Sequence, residues 1–421
     1  MPNLNLESII QREAGNCVAC GLCLPRCPTY RLLRDEAESP RGRISLMQAL
    51  ARGALALNEK METHLAHCLA CRACERACPS NVAYGQLIDT TRALIETRRV
   101  RSSWQTWLRR TAFSLLEHPK KLERLGRLLR LYQRSGLHQL AKTTGMLRLL
   151  GLGKLDTALP KLPDQPSFQA FYPAQTKRNG QVALLTGCVA SLTDSATLNA
   201  SIRWLTQLGY DVHLPPDQTC CGALHHHHGE TEKAAALMRR NIHAFAADKM
   251  DAVISTASGC GAMLREYPIF LPGDKGAESF ALKVRDINQF LAGIPWPSSL
   301  RLRPLHKRVA VQDPCTLVNV LRQEDKPYAL LNRIPEIEMV PLPDNHQCCG
   351  AAGTYHLSQP ELAQRLRADK IEHLRRLAPD ILATSNIGCA MYLAAGLCES
   401  GLEIEVVHPV VLLERQLMVS E

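Results

Sequence analysis

The chain has no run of 18 apolar residues, no complete G-x-G-x-x-G fingerprint and no Walker loop. The first absence argues against a membrane-spanning helix, which needs about 20 largely apolar residues to cross the hydrocarbon. The other two leave no site for a dinucleotide or a nucleoside triphosphate cradled at a helix N-terminus. The nearest approach, "GLGKLD", lacks the third glycine and a preceding strand, so no flavin is expected in this chain. Aromatics are sparse at 5%, and the opening "MPNLNLESIIQREAGN" has no basic stretch followed by an apolar run, so no secretory signal is expected. A hydrophobic fraction of 46% over 421 residues is that of a globular protein. The length suffices for roughly two to four domains. The expected location is cytoplasmic.

The net charge of +10 is unevenly placed: Arg98 to Lys154 holds 14 Lys or Arg against Glu117 and Glu123, leaving the rest slightly acidic. Formal charge also omits any bound metal centre, whose own charge belongs in the sum. A nucleic-acid partner is therefore not expected. Within this segment, "WQTWLRRTAFSLLEHPKKLERLGRLLRLYQRSGLHQL" mixes Leu, Trp and Phe with Arg at helical intervals and breaks near Pro119. It reads as amphipathic helices with a solvated basic face, or as a surface for an acidic partner or anionic lipid. The Pro-rich "LPKLPDQPSFQAFYPAQTKRNG" that follows reads as a linker.

What the chain has in quantity is cysteine, 17 in all. Without a secretory signal, that number points to metal ligation in a reducing compartment rather than to disulfides. "CVACGLCLPRCP" places Cys17, Cys20, Cys23 and Cys27, and "CLACRACERACP" places Cys68, Cys71, Cys74 and Cys78. Both are the C-x2-C-x2-C-x3-C-P run of bacterial ferredoxins, in which the fourth cysteine of each run ligates the other cluster. The expectation is two [4Fe–4S] clusters, one on Cys17, Cys20, Cys23 and Cys78, the second on Cys68, Cys71, Cys74 and Cys27. Zinc would leave the third and fourth cysteine of each run surplus.

Between the runs, Ser39 and Pro40 read as an N-cap and first helical residue, followed by Ile44, Met47 and Leu50 at helical spacing. After the second run, Asn81 reads as a cap for a helix with Val82, Leu87, Ile88, Leu94 and Ile95. The module is thus expected to be an α-helical ferredoxin. Arg41 and Arg43 would face cluster charge, a partner, or solvent at a helix start.

The second half repeats itself. "QVALLTGC" ends at Cys188, "CCGA" holds Cys220 and Cys221, and "DAVISTASGC" ends at Cys260; then "RVAVQDPC" ends at Cys315, "CCGA" holds Cys348 and Cys349, and "DILATSNIGC" ends at Cys389. The intervening lengths are 31 and 38 residues in the first copy and 32 and 39 in the second. A repeat of this kind fixes architecture. Strands alternating with helices imply a parallel α/β layer, with the cysteines at strand ends where such sheets bind ligands. Cys188, Cys220, Cys221 and Cys260 form one candidate metal site; Cys315, Cys348, Cys349 and Cys389 form another; small buried thiols at turns are the alternative. Gly222 and Gly350 are expected to let the backbone approach the bound group. His228 and His356 each follow a CCG cysteine by seven residues. Cys398 has no counterpart and is expected in the core.

The fold class is therefore multidomain, an α-helical ferredoxin module followed by a duplicated α/β (parallel-sheet) CCG region. The expected division is 1–97 for the two-cluster ferredoxin domain, 98–178 for the basic bridge and linker, and 179–300 and 301–421 for the two CCG domains.

"CGLCLPRCPTYRLLRDEAESPRGRI", "CLACRACERACPSNVAY", "TASGCGAMLREY", "CCGAAGTYHL" and "TSNIGC" resemble, in order and over nearly the full chain, the iron–sulfur subunits of glycolate oxidases, which are flavin-dependent glycolate dehydrogenases. The resemblance implies an electron-transfer subunit working with FAD-binding dehydrogenase subunits that oxidise glycolate to glyoxylate. It also suggests quinone as acceptor, peripheral contact with the inner face of the cytoplasmic membrane, and one or two further clusters in the CCG domains. Related CCG proteins serve D-lactate and glycerol-3-phosphate dehydrogenases and heterodisulfide reductases, and these remain alternative readings. Heterodisulfide-reductase-type domains often carry a further cysteine three residues before the last; here Ala257 and Asn386 occupy those places.

Overall fold

The computed structural model describes residues 5–99, 104, 107, 111, 113–115, 117, 119–135, 144, 162–163 and 168–418. Most of the basic bridge, and part of the linker after it, lie outside the described residues.

Helices Leu6–Gly15, Pro40–Ala51 and Tyr84–Arg98 build the N-terminal core around Ile10, Met47, Leu50, Leu87 and Ile88. Ser39 caps the second of these by accepting from the Gly42 N–H at 2.9 Å, with Pro40 at the first helical position. Gly42 is required here: a Cβ would lie 1.9 Å from the Glu36 carbonyl oxygen. Asn81 does not cap. It takes a left-handed conformation, φ 50°, at the exit of the second cysteine run, and the helix starts at Tyr84 behind Ala83 with no side-chain cap. The tolerance of Asn for that backbone region outweighs its capping preference. In the bridge, helix Pro119–Arg134 buries Leu122 and Arg130 and exposes Leu128 and Leu131.

The C-terminal half contains two sheets. Strands β1 (Phe171–Tyr172), β2 (Gly180–Leu185), β3 (Tyr210–His213), β4 (Ala252–Ser255) and β5 (Val284–Asp286) are ordered β1-β3-β2-β4-β5. Strands β6 (Arg308–Gln312), β7 (Glu338–Pro341), β8 (Ile381–Thr384) and β9 (Glu405–Val407) are ordered β7-β6-β8-β9. All pairings are parallel except β1 with β3, a two-residue edge strand that the duplication does not contain. β4 and β8 are buried along their whole length, as strands covered on both faces must be. One core serves both copies: Trp204 and Leu205 of helix Ser195–Gln207 meet Val410 and Leu413 of helix Pro409–Gln416, with β2 and β6 residues beneath.

His408 caps the last helix, its Nδ1 accepting from the Val410 N–H at 3.1 Å, and burial pushes its pKa down to about 3. The ordinary histidine value is about 6.5, so the unfolded chain takes the proton first and stability falls as pH drops from 6.5 towards 3. Between pH 7 and 5 this residue alone is expected to remove about 2 kcal/mol. His408→Asn caps without titrating and should flatten that part of the curve. Denaturation midpoints at the two pH values check this, and an unchanged pH dependence would rule His408 out as its source.

Candidate metal centres

Each ferredoxin run curls because left-handed residues punctuate it: Ala19 (φ 54°) and Gly21 (φ 83°) in the first, Ala70 (φ 50°) and Arg72 (φ 59°) in the second. Such alternation turns successive backbone N–H groups inwards and makes an anion-binding concavity. The Ala70 N–H donates to Cys68 Sγ at 3.4 Å. A short helical turn, Leu24–Arg26 after Cys23 and Ala73–Arg76 around Cys74, carries the fourth cysteine of each run towards the opposite run. Cys17, Cys20, Cys23 and Cys78 line one cavity, with Cys74 also on its wall. Cys68, Cys71, Cys74 and Cys27 line a second.

The outer cavity reaches the surface, where Cys20, Val18 and Leu22 are exposed. Arg41 lies on its wall, donating from Nη1 to the Ala19 carbonyl at 3.1 Å and pairing with Glu36. Arg43 lines the inner cavity and is not at a solvated helix start; it is 1% exposed, with Nη1 3.9 Å from Cys27 Sγ. Burial pushes the Cys23 thiol up to about 11 and those of Cys71 and Cys74 well above the usual range. A bound metal supplies the positive charge that such thiols need to ionise. Four converging thiols, inward N–H groups and a buried cation fit an anionic thiolate cluster.

The CCG cysteines also converge. Cys188 Sγ lies 3.6 Å from Cys220 Sγ, and the Cys221 thiol neighbours those of Cys220 and Cys260. In the second copy the free thiol of Cys348 neighbours those of Cys315 and Cys349, and Cys349 neighbours Cys389. Three strand ends supply each set: the segment after β2 or β6, the CCG turn after β3 or β7, and the first turn of helix Ser258–Arg265 or Ile387–Glu399. Gly222 and Gly350 stand at φ 89° and 90°, which only glycine adopts readily. Their close neighbour is the second helix after each turn, Thr231–Phe245 or Pro360–Leu377: a Cβ on Gly350 would lie 2.7 Å from the Ala363 carbonyl. His228 Nε2 bonds Thr354 Oγ1 at 2.8 Å across the two copies, and His356 bonds the Ala351 carbonyl at 3.2 Å. These contacts brace the turns. Cys398 is exposed near the end of its helix and is not a core thiol.

No local pattern of residues foretells how the two halves meet. Asn319 Nδ2 donates to the Cys71 carbonyl at 2.8 Å, and Tyr355 Oη donates to the His67 carbonyl at 3.0 Å. Leu69, Cys71, Cys315 and Cys348 share one apolar cluster. Arg72 pairs with Glu266 of the first copy, and Arg76 with Glu324 of the second. The inner ferredoxin cavity therefore abuts the second CCG set.

Dense thiol sets in a two-part fold define an iron–sulfur protein. A 4Fe-4S dicluster domain matches residues 13–82, and a cysteine-rich CCG domain matches 182–265 and 309–394. The linker region of the glycolate oxidase iron-sulfur subunit matches 104–159. A probable glycolate oxidase iron-sulfur subunit of Bacillus subtilis (strain 168) is 36% identical over 415 residues, 96% of this chain and 94% of that protein. The glycolate oxidase iron-sulfur subunit of Escherichia coli (strain K12) is 33% identical over 93% of this chain and 91% of its own length. Lactate utilization protein A of Geobacillus thermodenitrificans is 30% identical over 54% of this chain and 96% of its own. The chain belongs to the glycolate oxidase iron–sulfur subunit family, as an electron-transfer subunit that carries iron–sulfur clusters and works with partner subunits. Among the described residues no helix is long and apolar enough to cross a membrane.

Proposed function

We propose that this chain serves a flavin-dependent glycolate dehydrogenase, accepting electrons from FAD-binding partner subunits and delivering them to quinone at the inner face of the cytoplasmic membrane. The observation that carries this reading is the near-full-length likeness to two glycolate oxidase iron-sulfur subunits. On this reading Cys17, Cys20, Cys23 and Cys78 hold one [4Fe–4S] cluster, and Cys68, Cys71, Cys74 and Cys27 hold the second; the two CCG sets hold further iron. Bound clusters supply one-electron carriage at a potential set by charge, hydrogen bonding and exposure. The chain's own residues position the thiols, keep water from the inner cavity and provide Arg43 as counter-charge. Exposed Val18 and Leu22 beside Cys20 offer the outer site a contact surface for a partner.

The purified, cluster-loaded chain is expected to show no glycolate-dependent dye reduction alone, and to support it once flavoprotein subunits are added. Glycolate oxidation by the chain alone would overturn this division of labour. Equal support for D-lactate but none for glycolate would move the complex to the lactate class.

A further inference from the structure

The two CCG sites are not electrostatic equals. Ala234 backs Gly222 and Ala363 backs Gly350, a spacing of 129 residues that pairs Asn241 with Lys370 and Ala257 with Asn386. Asn241 is fully buried and its amide serves neighbouring groups of the first copy. Its Oδ1 accepts from the Thr219 N–H at 2.8 Å, while Nδ2 donates to the Cys220 carbonyl at 3.0 Å and to Tyr267 Oη at 3.1 Å. Lys370, 1% exposed, instead places an ammonium at that position, donating to the Asp344 carbonyl at 2.6 Å. Among the described residues it forms no ion pair with a carboxylate; its charge acts on Cys349 and Cys348 first and on Asp344 after them. The second difference has the same sense. Ala257 offers nothing polar, whereas Asn386 Nδ2 donates to Cys389 Sγ at 3.4 Å and Asn386 Oδ1 accepts from the Gly259 N–H of the other copy at 3.3 Å.

A buried ammonium held in no ion pair with a carboxylate is costly unless another anion compensates it. Four thiolates and their cluster are such an anion. A cation and an N–H donor beside the sulfurs stabilise the more negative, reduced state, which raises the reduction potential. We propose that Lys370 and Asn386 make the second CCG site the higher-potential member of the pair, so that an electron entering this half resides there. The inference rests on the reading that both CCG sets hold clusters. Reduction adds one electron to the site and breaks no bond; in the test the donor is dithionite.

The experiment is an anaerobic dithionite titration of the loaded full-length chain, followed by electron paramagnetic resonance, with iron counted. Lys370→Met and Asn386→Ala together are expected to shift the reduced-to-oxidised ratio of one CCG centre at least tenfold towards oxidised at fixed potential. That is about 59 mV for a one-electron couple. The ferredoxin centres should stay in place, and Ala257→Asn should shift the other CCG centre towards reduced. If Lys370→Met sheds iron from that site, Asn386→Ala decides the matter, because it leaves all four thiols. Wild-type iron at or below about eight per chain, the content of two four-iron clusters, sinks both the cluster reading and this inference. Iron above that number with unmoved midpoints sinks this inference alone.

Discussion

Arg43→Met is expected to destabilise the N-terminal half by about 3–5 kcal/mol, the range for breaking a buried ion pair from one side. The Arg43 and Glu38 side chains are 1% and 3% exposed and paired. Arg43 uses its whole fork: Nε donates to the His64 carbonyl at 2.7 Å, and Nη1 to the Glu38 carbonyl at 2.6 Å and Thr29 Oγ1 at 3.0 Å. Glu38 accepts in turn from His64 Nδ1 at 2.7 Å and His67 Nδ1 at 2.8 Å. Burial pushes the Glu38 carboxyl up, but those histidine bonds and the Arg43 charge hold it below the usual carboxylate range. Without Arg43 the carboxylate keeps its desolvation and loses its main cation. The same substitution removes the cation nearest Cys27, so the inner cluster should also lose potential or iron. Arg43→Lys keeps a charge but not the planar fork, and should fall between. Denaturant unfolding followed by cluster absorbance reads both effects. A Met variant as stable as wild type, with unchanged iron, would show the network to be dispensable.

That network shows where sequence reading stopped. The cysteine sets were legible because ligand spacing is local and the CCG repeat keeps its offsets. Ser39 and Pro40 were legible because a cap is decided within four residues. The parallel strands were legible from their apolar runs, since burial on both faces leaves little room for polar residues. Whether Arg43 is solvated or buried depends on Glu38, His64 and His67, which arrive from other segments. The join between halves rests on pairs such as Asn319 with Cys71, 248 residues apart, which no local pattern encodes. The edge strand β1 is two residues long, too short for an alternation to register. The charge difference between the CCG sites was written in the repeat, but Lys370 gained meaning only once helix Pro360–Leu377 was seen against the turn.

Substituting Cys221 or Cys349 with Ser is expected to strip the iron from that copy and break electron flow, while both ferredoxin clusters survive. Adjacent cysteines in an extended strand would point to opposite sides. The CCG turn avoids this by following each pair with a left-handed glycine, so both thiols face the same centre. Cys188 and Cys260, or Cys315 and Cys389, complete four donors from separate strand ends. A serine hydroxyl stays protonated where a thiol ionises, so the substituted site keeps three donors at most. The ferredoxin cavities draw on none of these cysteines, which is why their clusters should remain. Loaded wild-type protein should accordingly exceed the roughly eight iron of two four-iron clusters, and each serine variant should fall below wild type. Iron analysis, the paramagnetic signals of the ferredoxin half and dye-linked turnover of the assembled complex separate the outcomes. If loaded wild type never exceeds about eight iron and both substitutions leave turnover intact, the CCG half acts as scaffold and docking surface.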